Sequence, residues 1–159
     1  MFDTVLGLPL HVLLIHAAVL GLPLVAVGSV VVAARARWRR RFLPWALAAS
    51  FGCLALVFIT IQSGKRLAER LPESPAIHRH AAMAGTLLWL TAGLCLVVGA
   101  VTLWSRRAQM STTRPGLVAF RSLLAVLVIT ASAVTVQVVR TGHSGSDAVW
   151  GPIIDATGG

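Results

Sequence analysis

Residues 80–104 read HAAMAGTLLWLTAGLCLVVGAVTLW, a run of 25 residues without Asp, Glu, Lys or Arg. About 20 helical residues cross the hydrocarbon core of a bilayer, so this run is long enough to span it. Three further runs share its character, and the predicted spans are 9–34, 42–63, 80–104 and 117–140. Helices are expected because backbone polar groups in lipid must be satisfied within their own segment, and these runs lack the alternation of barrel strands.

The composition agrees with a membrane protein. Of the 159 residues, 57% are hydrophobic and 12% are charged, and the mean hydropathy is +0.83. These values lie outside the range of soluble globular domains. The sequence therefore predicts an all-α fold, an integral membrane four-helix bundle that forms a single transmembrane domain over residues 1–159 in contact with the lipid bilayer. We find no internal repeat in the sequence.

The positive charge of the chain is explained by membrane topology. A net charge of +9 would suggest a nucleic-acid partner in a soluble protein, but here the arginines cluster at the ends of the apolar runs. No nucleic-acid partner is expected. One side of the predicted bundle carries nine Lys and Arg residues and the other carries five. Because positive loops stay on the inner side, both termini are predicted to lie on the outer side.

All five histidines fall near the outer ends of the predicted spans: His11, His16, His78, His80 and His143. A histidine inside a membrane is costly without a partner, so a cluster at one depth indicates a site. His78 and His80 lie about 200° apart on a helix, so only one of them can point inward. We favour His80, because small and apolar residues continue its face. Gly142 is interpreted as the end of span four, which would place His143 over the mouth of a shared pocket.

Such a cluster suits a haem iron, which two histidines from facing helices of a bundle can hold axially. His16 and His80 are the predicted axial pair. His143 and His11 are the next candidates, either as ligands or as groups around the propionates. Arg140, with Lys65 and Arg66, is predicted to pair with the propionates, which makes Arg140 part of the predicted cofactor site.

Two other interpretations stay open. The same histidines, with His16 and His80 as the metal ligands, could hold a copper or zinc ion. Alternatively, the protein is a structural or accessory membrane subunit whose histidines only connect helices. No catalytic residues are predicted: GHSGS at 142–146 lacks the final glycine of a nucleophile elbow, and there is no HExxH motif. An electron-transfer or binding module is favoured over an enzyme with its own substrate.

A family resemblance rests on two stretches and on the histidine that opens span three. The stretches are GLPLHVLLIHAAVLGLPL at 7–24 and RTGHSGSDAVWG at 140–151. They resemble the bacterial four-helix membrane family filed as domain of unknown function 2231, over essentially the whole chain. Many members have proline after the first histidine, where this chain has Val12.

The resemblance implies a multi-pass protein of the bacterial inner membrane. Fusion of some relatives to Rieske-type iron–sulfur domains, and a likeness to b-type cytochrome bundles, imply a redox role with haem b as the cofactor. An iron–sulfur or cytochrome subunit is then the expected redox partner. Four helices enclose a small core, so association with copies of the chain is a further expectation.

Overall fold

The computed structural model describes residues 4–5, 7–107 and 114–157. A short antiparallel pair of strands comes first, β1 (Thr4–Val5) and β2 (Leu8–Pro9). Four helices follow: α1 (Leu10–Ala34), α2 (Ala36–Ala68), α3 (Pro75–Arg107) and α4 (Arg114–Thr157). All four are long and apolar enough to cross a membrane. The all-α prediction of a four-helix membrane bundle is confirmed.

Helices α2, α3 and α4 extend beyond the predicted spans at both ends, whereas α1 stays within its predicted span and ends at Ala34 as predicted. Only Arg35 separates α1 from α2. Arg39 stabilises this tight connection: its Nε donates to the carbonyl of Ala33 at 2.6 Å and its Nη2 to that of Ala34 at 3.4 Å. Those carbonyls end α1 and would otherwise lack donors. Of the third predicted connection, residues 108–113 lie outside the described residues.

The helices form a four-membered ring in which α1 and α3 lie on one diagonal. Each helix packs against two neighbours, in the pairs α1–α2, α2–α3, α3–α4 and α1–α4. Successive helices are antiparallel, so α1 and α3 begin at the end of the bundle where α2 ends. We call this the histidine end, because His11 lies in the first turn of α1 and His80 in the second turn of α3.

The interior is apolar and so is much of the outer surface. Leu22, Leu94 and Leu127 are almost completely buried, whereas Leu96 and Trp89 are about three-quarters exposed (76% and 77%). Large apolar side chains on the outside of a bundle are compatible with lipid and costly in water. The pattern supports the membrane environment that the hydropathy predicts.

The core packing makes a stability prediction for two leucines of α3. Leu94→Ala should lower the free energy of unfolding by about 2 kcal/mol, which is at the low end of the range for truncation of a buried leucine. The loss is small because lipid surrounds the unfolded helices with an apolar environment, so the substitution removes mainly packing contacts. Leu96→Ala, on the exposed side of the same helix, should change stability much less. Unfolding in mixed detergent micelles measures both. Equal losses in the two variants would contradict the placement of Leu94 in the core.

Candidate cofactor site

A cavity of about 560 Å³ lies at the histidine end, with walls from all four helices. Its volume is within the ~300–1,000 Å³ that is usual for small-molecule and cofactor sites. Three histidines line it: His11, His16 and His80. The other lining residues are mainly apolar or small, so these imidazoles are the principal ligand-forming groups of its wall.

His11 is attached to the neighbouring helix α2. Its Nδ1 lies 3.0 Å from the carbonyl oxygen of Thr60 and 3.1 Å from Oγ of Ser63. The ring lies directly against Gly64, where an added Cβ would come within 2.7 Å of the ring atom Cε1. Glycine at position 64 is therefore required for the imidazole to approach the helix this closely.

His80 is attached to α4 in the same manner. Its Nδ1 lies 3.1 Å from the carbonyl oxygen of Thr141 and 3.1 Å from Oγ of Ser144. A Cβ added at Gly145 would come within 2.9 Å of the ring atom Cε1. His80 is half-buried and lines the cavity, whereas His78 is exposed and does not. The structure thus agrees with the choice of His80 as the inward-facing histidine of α3.

The same short sequence motif accepts the hydrogen bonds of both histidines. The acceptor segments read TIQSG at 60–64 and TGHSG at 141–145, with Thr, Ser and Gly at matching positions. In both segments the serine hydroxyl also donates to the threonine carbonyl, at 2.8 Å in α2 and 2.9 Å in α4. Although the sequence shows no long repeat, these two short segments make the same hydrogen bonds to a histidine of a neighbouring helix.

These contacts determine which ring nitrogen carries the proton. A carbonyl oxygen can only accept, so the Nδ1 of each histidine must be the protonated nitrogen and donate to it. The remaining nitrogen, Nε2, then keeps its lone pair and can bind a metal. His11 and His80, from the diagonal helices α1 and α3, both line the cavity. Together they form a pair of neutral imidazole donors at one cavity.

His16 lies at the edge of the cavity and is held differently. It is exposed, and its Nδ1 is 2.7 Å from the carbonyl oxygen of Val12, one turn earlier in the same helix. Among the hydrogen bonds of the described residues, His16 has none to a second helix. His16 and His11 both border the cavity, but only His11 is hydrogen-bonded to a second helix.

His143 lies away from the cavity. It is exposed and does not line the cavity wall. The predicted helix end at Gly142 is wrong, because α4 continues to Thr157. Gly7 is the glycine with a positive φ among the described residues, so Gly142 does not adopt the left-handed conformation of a helix end. Because the helix continues through Gly142, His143 is exposed on the outside of the bundle, whereas the predicted turn would have placed it over the cavity.

The predicted propionate partners lie on the helix surfaces at the same end. Arg140, Lys65 and Arg66 are exposed, and none of them lines the cavity. Gln137, by contrast, is buried and connects α4 to α3: its Nε2 donates to the carbonyl of Met83 at 3.0 Å. This bond lies one turn from the attachment of His80 and fixes the same pair of helices.

Sequence reasoning missed the residues of α2 that hold His11, namely the acceptors Thr60 and Ser63 and the glycine Gly64, against which the ring lies. The signal that could have revealed them is the Thr-x-x-Ser-Gly pattern at 60–64, which recurs at 141–145. In the part of the chain that the structure describes, no group of three or more His, Cys, Asp or Glu side chains is arranged to hold a metal ion by itself.

Comparison with known proteins identifies the family of the chain. No curated protein and no solved structure shows significant similarity to the chain. A family model described as a predicted membrane protein (DUF2231) matches residues 7–157, which include both histidine attachments and all but the first few and last few residues. The family and the four apolar helices agree on a membrane protein. The chain therefore belongs to the DUF2231 family of predicted membrane proteins.

Proposed function

We propose that this protein binds a b-type haem in the cavity at the histidine end, with His11 and His80 as the axial ligands, and serves in electron transfer or redox sensing. The observation that carries the proposal is the matched pair of imidazoles. Each ring donates its Nδ1–H to a neighbouring helix, which leaves the lone pair on Nε2 free, and both histidines line the same cavity.

The surroundings of the pair fit a flat, mainly apolar cofactor. Ile15, Val57 and Leu87 contribute apolar wall, and the small residues Ala84 and Gly142 leave space between the helices. Two neutral imidazoles are a complete axial set for haem iron. A bare zinc ion takes three or four protein ligands, which makes a two-histidine arrangement less suited to it.

The proposal uses His11 in place of the predicted His16. Haem ligands are usually fixed by a hydrogen bond from the second ring nitrogen, which sets both the tautomer and the ring orientation. His11 has such a bond to another helix, as His80 does, whereas His16 bonds only within its own helix. His16 at the edge of the cavity is then a neighbour of the cofactor.

Each part of the site has a defined task in this proposal. His11 and His80 bind the iron, and the carbonyls of Thr60 and Thr141 orient them. The apolar wall excludes water from the centre of the site. Arg140, Lys65 and Arg66 are proposed to pair with the propionates at the exposed end. When bound, haem supplies an iron that gains or loses one electron at a time.

An absorption spectrum of the purified protein tests the proposal. The wild type should show a sharp Soret band that shifts on reduction, as expected for iron held by two histidines. His11→Ala and His80→Ala should each lower haem retention by a factor on the order of ten or more, because an axial ligand is lost. His78→Ala and His143→Ala are matched controls from exposed positions at the same end and should keep the band.

Two results would overturn the proposal. A colourless protein that takes up no added haem would exclude haem, and elemental analysis would then distinguish a copper or zinc protein from a structural subunit. Loss of the band in His16→Ala together with its retention in His11→Ala would assign the ligand pair to His16 and His80.

The two glycines make a second prediction. Gly64→Ala and Gly145→Ala place a Cβ within 3 Å of a histidine ring, so each ring must move and haem retention should fall. Gly52→Ala is the control on α2, because a Cβ there meets nothing within 4 Å. Alanine is a better helix former than glycine by about 1 kcal/mol, so helix content should not fall in any variant. Circular dichroism and haem content measure both effects. Wild-type haem content in the two histidine-contacting variants would contradict the close approach of the rings.

A further inference from the structure

Two serines contact both the ring nitrogen and the carbonyl to which that nitrogen donates. Oγ of Ser63 is 3.1 Å from Nδ1 of His11 and 2.8 Å from the carbonyl oxygen of Thr60. Oγ of Ser144 has the same two contacts in α4, at 3.1 Å from His80 and 2.9 Å from the carbonyl oxygen of Thr141. Each imidazole N–H thus faces two oxygen acceptors instead of one.

We propose that Ser63 and Ser144 are positioning residues, one for each histidine, which hold the ring orientation and increase the electron density of the ligand nitrogen Nε2. This inference rests on the proposed function for its effect on haem. The structural part, a hydrogen bond from Nδ1–H to a serine hydroxyl, is independent of any cofactor.

The chemistry follows from the proton assignment. The serine hydroxyl donates its hydrogen to the threonine carbonyl, which leaves the oxygen lone pairs of the serine free to accept from Nδ1–H. An acceptor on one nitrogen of an imidazole makes the other nitrogen a stronger donor to a metal. A more electron-rich ligand stabilises oxidised iron, so the serines should lower the reduction potential of a bound haem.

A structural role alone would be the ordinary interpretation of such serines. Serine and threonine hydroxyls in this bundle often donate to a carbonyl one turn earlier, as Ser29 and Ser50 do. Among the described hydrogen bonds, however, only Ser63 and Ser144 also join a histidine of another helix. Ser50 therefore provides a matched control: it is buried in α2, donates to the carbonyl three residues earlier and contacts no histidine in those bonds.

The experiment compares Ser63→Ala, Ser144→Ala and Ser50→Ala in the full chain. With haem bound, the first two variants should release haem up to about ten times faster than wild type and have a higher midpoint potential. Ser50→Ala should match the wild type in both quantities. Unchanged potential and release rate in Ser63→Ala and Ser144→Ala, with haem bound, would overturn the proposal.

A second measurement separates this inference from the proposed function. In the haem-free protein with ¹⁵N-labelled histidine, the Nδ1 resonances of His11 and His80, assigned by their loss in the alanine variants, should shift when the contacting serine is removed. Ser50→Ala should leave them in place. If the wild type bound no haem but the resonances shifted, the proposed function would fail and the serine contacts would stand. Absence of the shift would refute the serine contacts whether or not haem binds.

Discussion

A hydrogen-bond donor within a bilayer must find its acceptor inside the protein, because hydrocarbon offers none. In this bundle, that requirement is met for His11 and His80 by carbonyl oxygens of the neighbouring helices. These bonds hold α1 beside α2 and α3 beside α4 at the histidine end. They also fix the tautomer of each ring, and thereby leave Nε2 as the nitrogen that can bind a ligand. At the histidine end, the pairing of the helices and the chemistry of the cavity thus involve the same two contacts.

The sequence predicts well what local composition and helical period determine. Four apolar runs predict four helices, because the length needed to cross lipid can be counted along the chain. The 3.6-residue period of the helix distinguishes His80 from His78, because side chains two positions apart on one helix cannot face the same way. The beginning of α3 at Pro75 also has a local cause: Oγ of Ser74 accepts a hydrogen bond from the backbone N–H of Ala76, as a serine at a helix N-terminus does.

Properties that depend on a second helix are not predictable in this way. His11 and His16 both border the cavity, and the difference between them is an acceptor 49 residues further along the chain. Local similarity even favours the other histidine: HAAVLG at 16–21 resembles HAAMAG at 80–85 and makes His16 the sequence counterpart of His80. The contacts make His11 its structural counterpart. Likewise, glycine at position 142 predicts a helix end, but the packing of α4 against α3 and α1 keeps the chain helical there.

The two halves of the site share a motif but differ in how firmly they are joined. Between α3 and α4, His80 donates to α4 and Gln137 donates back to Met83 of α3, so two bonds in opposite directions hold the pair. The matching position in α2 is Leu56, which has no side-chain donor, and the hydroxyl of Thr60 donates to its carbonyl instead. In addition, α1 begins only one residue before His11. The α3–α4 pair is therefore the more restrained side of the cavity. The first turn of α1 is the side on which a ligand can be accommodated with the least change to the rest of the bundle.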